Sequence, residues 1–229
     1  MFNREYLEKI GKEAKKSNIK DFKKFKNLER IEVESSWEAE LVNQVIQNVE
    51  IRKELKDRLE ANREEKEIIF YTDGLLSRES TRDKVVMRYS VVQVDSTNNE
   101  VFRYKRRIEN WFSSTQAELV AYLVAVLVVP NECTVEIRID SDAAIYAITN
   151  CLRNEKTCDW LKTKNNNILQ AIKKVCRSKL VQLRFTKIKS HSGDIYNDLA
   201  DTLAKEGLYE AHSTVLNNIS RSSIKYILE

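Results

Sequence analysis

From residue 67 onward the hydrophobic pattern changes period repeatedly, and the order of those changes constrains the fold more than any other feature of the chain. Ile68-Ile69-Phe70-Tyr71-Thr72 is a short β-branched and aromatic run that stops at Asp73-Gly74, as a central strand followed by a turn does. Residues 84–94 and 100–107 are two further strand-like runs. The polar turn Asp95-Ser96-Thr97-Asn98-Asn99 separates them, so three antiparallel strands are predicted in succession. A helix is predicted over 114–129, stopped by Pro130-Asn131, then a strand at 134–140 and a helix at 142–150. A helix at 166–176, a strand at 181–188 and a last helix at 195–205, ended by Gly207, complete the set. Hairpins and right-handed crossovers in the order βββαβα(α)βα predict an α/β fold, one mixed sheet of five strands with helices on both faces.

Ahead of that switch, residues 1–66 hold no strand-like run and are segregated by charge: 10 basic against 5 acidic side chains in 1–30, then 6 against 10 in 31–66. Ser35 with Glu38 three residues later is a capping box. Trp37, Leu41, Val45, Val49, Leu55 and Leu59 follow at mostly helical spacing, so roughly 36–62 is predicted as one amphipathic helix. One or two short basic helices are expected in 1–30, around Tyr6, Leu7, Ile10, Phe22 and Phe25. The domain boundaries are therefore a charged helical extension at 1–66, a sheet domain at 67–208 and a tail at 209–229.

Several classes of function are disfavoured. With 39 basic and 35 acidic residues the net charge of +4 is only a weak pointer to a polyanionic partner. Four cysteines without a C-x-x-C pair, and two histidines, provide no zinc-ligand spacing. The longest apolar run, 117–129, is broken only by Glu118 and falls short of the ~20 residues that span a bilayer, so no membrane partner is expected. With no secretory signal in the opening residues, the expected location is intracellular, in nucleus or cytoplasm.

Four acidic residues occupy informative places. Asp73 is expected to close the first strand and Asp140 the fourth; Glu118 lies in an otherwise apolar helix, and Asp201 lies in the last helix. Singly, each has an ordinary role: a turn former before glycine, a solvated helix residue, a helix cap. Glu118 fits that description worst, because Ala117-Glu118-Leu119-Val120-Ala121 is a buried environment where a carboxylate seldom goes unpaired. In an open sheet, functional groups gather outside the strand ends at a switch point, and strands one and four would be adjacent and parallel. Carboxylates brought together there repel unless cations compensate, and hard divalent cations with oxygen ligands suit the task.

Tyr71-Thr72-Asp73-Gly74, Ser114-Thr115-Gln116-Ala117-Glu118-Leu119, Ile139-Asp140-Ser141 and Ser190-His191-Ser192-Gly193…Asn197-Asp198-Leu199-Ala200-Asp201 resemble, in order, the four motifs of type 1 ribonuclease H over about residues 67–208. The resemblance implies the strand order 3-2-1-4-5. It also implies hydrolysis of the RNA strand of RNA/DNA hybrids by two Mg²⁺ ions (Mn²⁺ as a substitute), giving 5′-phosphate and 3′-hydroxyl ends. Asp73, Glu118, Asp140 and Asp201 would then be the metal-binding carboxylates, and His191 the loop histidine that assists turnover. Ser113, Ser114, Thr115, Gln116 and Asn197 would contact the hybrid. Arg153, Lys156, Trp160, Lys162 and Lys164 are a possible reduced basic handle, or a solvated surface.

The sequence departs from the family pattern in places. Leu75-Leu76 follow Asp73-Gly74 where a small residue is usual, 77–83 lacks the usual glycines, and Asp198 stands for a commoner glutamate. A helical segment fused ahead of the domain resembles the arrangement of a retroelement polyprotein, with an upstream polyprotein domain as partner of 1–66. The alternative is an intramolecular partner, the extension packing on the sheet domain. Two competing functions stand beside the nuclease: a catalytically impaired nucleic-acid-binding or interaction module of the same fold, and a different nuclease of the superfold, which the His191-Ser192-Gly193…Asp201 motif disfavours.

Overall fold

A computed structural model describes residues 36–79, 84–108, 113–153, 164–189 and 193–217. The basic helices expected in 1–30, and Lys156, Trp160, Lys162 and His191, lie outside the described residues. The single helix expected over 36–62 is two helices, α1 (Trp37–Val45) and α2 (Val49–Ala61). At the break Ile46 is extended, at φ −100° and ψ 133°, and forms an isolated antiparallel bridge with Leu216. The Gln47 amide donates to the Val215 carbonyl at 2.8 Å, and the Asn217 amide to the Val45 carbonyl at 2.8 Å. Asn48 then caps α2, its side chain accepting from the Ile51 amide at 3.1 Å. A helix cannot continue where its backbone is taken up by another strand.

The strands β1 (Glu67–Glu79), β2 (Lys84–Val94) and β3 (Glu100–Ile108) form the expected antiparallel meander. Asp95 makes the second turn, its carboxylate accepting from the amides of Thr97 at 2.9 Å and Asn99 at 2.8 Å while Asn98 takes a positive φ of 63°. Then come α3 (Ser114–Leu127), β4 (Thr134–Ile139), α4 (Asp142–Arg153), α5 (Asn166–Ser178), β5 (Gln182–Lys187), α6 (Ile195–Glu206) and β6 (Ser213–Thr214). The sheet order is β5-β4-β1-β2-β3-β6, with β4 parallel to β1 and β5. The expected five-strand order is thus present, and a sixth, two-residue strand is added on β3, where Arg107 pairs with Ser213.

Helix α3 is the centre of the core: every residue from Ala117 to Leu127 is buried, Glu118 among them. It lies under one face of the sheet with Val42, Val45, Ile51 and Leu55 of the N-terminal helices, with Ile46 between those two helices, and with the apolar side of α5, all in one cluster. Helices α1 and α2, the described part of the extension, therefore pack on the sheet domain. On the opposite face α6 covers Tyr71, Val92 and Val94 with Ala200 and Leu203. Helix α3 stops before Pro130 because the fully buried Lys179 closes it, its ammonium donating to the carbonyls of Leu127 and Val129 at 2.7 Å each. Among the described residues no helix is long and apolar enough to cross a membrane.

Candidate active site

Asp73 does not close its strand. Strand β1 continues to Glu79 in register with β2, pairing Asp73 with Ser90 and Leu75 with Arg88, because β2 supplies a partner for every residue beyond the Asp-Gly pair. What ends there is the parallel ladder with β4, whose last pair is Tyr71 with Arg138. Asp73 thus lies past the end of the β4 pairing, beside Asp140, which follows the last residue of β4. The switch point is a local splitting of two strands rather than the end of both.

Gly74 sets the depth of Glu118. A Cβ on Gly74 would fall 2.7 Å from the Glu118 Cα and closer still to its amide nitrogen, so α3 lies directly on β1 at this residue. That contact places the Glu118 carboxylate against Asp73 and Asp140. One carboxylate oxygen from each of Asp73, Glu118 and Asp140 lies within 4.8 Å of the others.

The electrostatics follow from that crowding. Burial, reinforced by the charges of Asp140 and Asp201, pushes the Asp73 carboxyl up to about 6, against an opposing backbone hydrogen bond from Gly74. Glu118 is raised well above its ordinary value, first by burial and then by Asp73 and Asp140, with Gly74 and the Lys187 charge opposing. Its Oε2 is buried with no hydrogen-bond partner. Three clustered carboxylates with an orphaned buried oxygen fit a hard divalent cation by the chemistry of their donors.

Asp201 is not in that group. It lies on α6, which Ser90 ties to the sheet by donating to the Ala200 carbonyl at 2.6 Å, and its charge reaches Asp73. Its own Oδ2 is 2.6 Å from the Lys205 ammonium, an i,i+4 ion pair. Sequence spacing alone contains the signal for Lys205. Lys187, at the end of β5, reaches the Asp140 carbonyl and has no comparable signature.

The expected substrate contacts divide. Ser113 occupies the N-cap position of α3 without a side-chain capping bond, and its amide donates to the Met87 sulfur at 3.2 Å. Ser114 is exposed; Thr115 and Gln116 are half-buried, and the Gln116 Oε1 has no partner. Asn197 is buried in the first turn of α6, where its amide donates to the capping carboxylate of Asp194 at 3.1 Å. Asp194 was no sequence candidate, although its place before a predicted helix marks it as a cap.

Comparison with known proteins agrees with this architecture. The sequence pattern of the RNase H family matches residues 65–209. The ribonuclease H of Clostridium botulinum strain Hall is 28% identical over 154 residues, spanning 63% of this chain and 97% of that protein. The ribonuclease H of Wolbachia pipientis wMel is 23% identical over 151 residues, spanning 64% and 98%. The solution structure of the PFV RNase H domain shares the fold, with a TM-score of 0.52 at 20% identity over 63% of this chain and 96% of that domain.

Proposed function

The chain belongs to the RNase H family, and on that premise we propose that it is an endonuclease cutting the RNA strand of RNA/DNA hybrids with two divalent metal ions, leaving 5′-phosphate and 3′-hydroxyl ends. Family membership supports the coarser activity, that of a hydrolytic ribonuclease H. The observation that carries the finer reading is the meeting of Asp73, Glu118 and Asp140 around a buried oxygen without a partner.

Asp73, Glu118 and Asp140 would hold the ions, with Asp201 joining them when its pair with Lys205 opens. Bound there, Mg²⁺ or Mn²⁺ supplies Lewis-acid chemistry at the attacking water and the leaving 3′-oxygen of the phosphodiester. Asp73 must be ionised to take part, which its raised pKa permits above about pH 6. The N-terminal turn of α3 carries Ser113, Ser114, Thr115 and Gln116 just ahead of Glu118, and the exposed Ser114 hydroxyl is suited to contact a ribose 2′-hydroxyl. His191, on the segment between β5 and α6, is assigned the role of assisting turnover.

The test offers labelled RNA/DNA hybrid, double-stranded RNA and double-stranded DNA to the full chain, each with Mg²⁺ and with chelator. Only the hybrid with Mg²⁺ should be cut, and Asp73→Asn should bind hybrid without cutting it. Hybrid bound but left whole by the unaltered protein would make it a binding module; cleavage in chelator would remove the metal from the reaction.

A further inference from the structure

Strand β4 ends at Ile139, which pairs with Lys187 of β5, and the last backbone bond between the two segments runs from the Ile188 amide to the Ile139 carbonyl at 3.0 Å. Asp140 and Ser141 therefore lie past the ladder, between the strand and the start of α4 at Asp142. The far side of this corner is tied by Ser141, whose hydroxyl accepts from the Ala144 amide at 3.3 Å and whose carbonyl accepts from the Ile145 amide at 3.1 Å. On the near side one side chain spans it. The Lys187 ammonium donates to the Asp140 carbonyl and lies 2.9 Å from the Asp142 Oδ2.

We propose that Lys187 is a positioning residue for the acidic cluster, holding the corner between β4 and α4 so that the Asp140 carboxylate stays turned toward Asp73 and Glu118. The proposal rests on the reading of that cluster as a metal site. Without the lysine, Asp140 keeps its neighbours in the chain but loses the strut from the end of β5 to its own carbonyl, while three crowded carboxylates push it outward. A cation donating to a ligand's backbone opposes that push without occupying the carboxylate oxygens an ion needs. Partners that orient a ligand in this way commonly control metal affinity by tenfold or more.

The same ammonium has a second conceivable use, as a direct contact to substrate phosphate, and the experiment separates the two. Mn²⁺ binding to the full chain is measured by titration calorimetry for the unaltered protein, Lys187→Met and Lys187→Arg, followed by steady-state cleavage of a hybrid. Lys187→Met is expected to weaken Mn²⁺ binding about tenfold and to lower kcat at constant hybrid KM, and Lys187→Arg to recover most of both. Unchanged Mn²⁺ affinity with a raised KM and a shallower salt dependence would overturn the proposal in favour of phosphate contact. Tighter Mn²⁺ binding would overturn it too, leaving Lys187 as a charge that merely repels the ion. Should Lys187→Met not fold, Asp142→Asn removes the other anchor of the strut and should shift Mn²⁺ affinity in the same direction; no shift overturns the proposal. Failure of the unaltered protein to bind Mn²⁺ would instead overturn the metal-site reading itself, and the proposal with it.

Discussion

The backbone of Glu118 passes so close to Gly74 that the glycine has no room for a side chain: a Cβ there would lie 2.7 Å from the Glu118 Cα. The obstacle is backbone, not a side chain that can swing aside. Gly74→Ala must therefore part β1 from α3, and overpacking of this kind costs about 1–3 kcal/mol or more. The carboxylates of Asp73 and Glu118 separate with it. The variant is expected to lose stability and Mn²⁺ binding together, as read by urea unfolding and calorimetry. A variant with unchanged Mn²⁺ affinity would show that this contact does not set the depth of the site.

Acid pH should favour the metal-free fold at this site and disfavour the ion. The folded protein holds the Asp73 proton up to about pH 6, whereas the ordinary value is 3.8, so between those values the folded state binds more protons than the unfolded. Asp73 by itself is expected to make stability in chelator fall by about 3 kcal/mol as pH rises through that window, and to add no slope above it. Glu118, raised in the same direction, adds to the fall. Asp73→Asn should unfold at higher urea than the unaltered protein at pH 7.5 and show a flatter profile from pH 4 to 6. Mn²⁺ affinity should rise steeply across the same range, because the ion must displace the proton. Equal midpoints for the two proteins at pH 7.5 would contradict a cluster under repulsion.

Much of this arrangement is legible in the sequence because local period and local chemistry agree with the fold. Residues 84–94 and 100–107 carry the β-branched and aromatic side chains of strands, and Glu118 marks itself by interrupting an apolar helix. What stays hidden depends on partners distant in the chain. The break at Ile46 exists because Leu216 pairs with it, and no helical periodicity near residue 46 registers a strand near residue 216. Asp73-Gly74 reads as a turn, yet β2 carries the pairing on to Glu79, since glycine is needed for the approach of α3 rather than for a bend. Asp201 lies outside the tight group and pairs with Lys205, an arrangement that sequence order alone does not reveal.

A fragment limited to residues 65–209 should not fold as the full chain does. It lacks α1, α2 and the segment 213–217 that bridges them to β3. Val42, Ile46, Ile51 and Leu55, each wholly buried in the main core, would be missing, and α3 would lose its cover. At about 1.5–3 kcal/mol per side chain, that loss rivals the whole stability of a small domain. Asn62 goes too, and with it the 2.8 Å bond to the Val128 carbonyl and the bonded pair with Gln93. The fragment is expected to be insoluble or to bind a hydrophobic dye. A soluble fragment melting within a few degrees of the full chain would reduce the helices to an appendage.

Lys179 offers a test of how α3 is held at its far end. The side chain is fully buried, and its ammonium serves the carbonyls of Leu127 and Val129 at 2.7 Å and Val126 at 3.4 Å. Lys179→Met fills the same space but leaves those carbonyls without a donor in an apolar surround, which should destabilise by about 2 kcal/mol at pH 7. Burial lowers the lysine to about 8 from 10.5, against the opposing charge of Glu38. Between those two values the unfolded chain carries more protons than the folded one, so this residue makes stability rise with pH there and contributes no slope below about 8. Urea midpoints of the two proteins at pH 7 and pH 10 check both parts: the gap should be present at pH 7 and wider at pH 10. A gap that closes at pH 10 would mean that the charged form alone holds the helix end, and equal midpoints at both pH values would mean that the three carbonyls do not need the lysine.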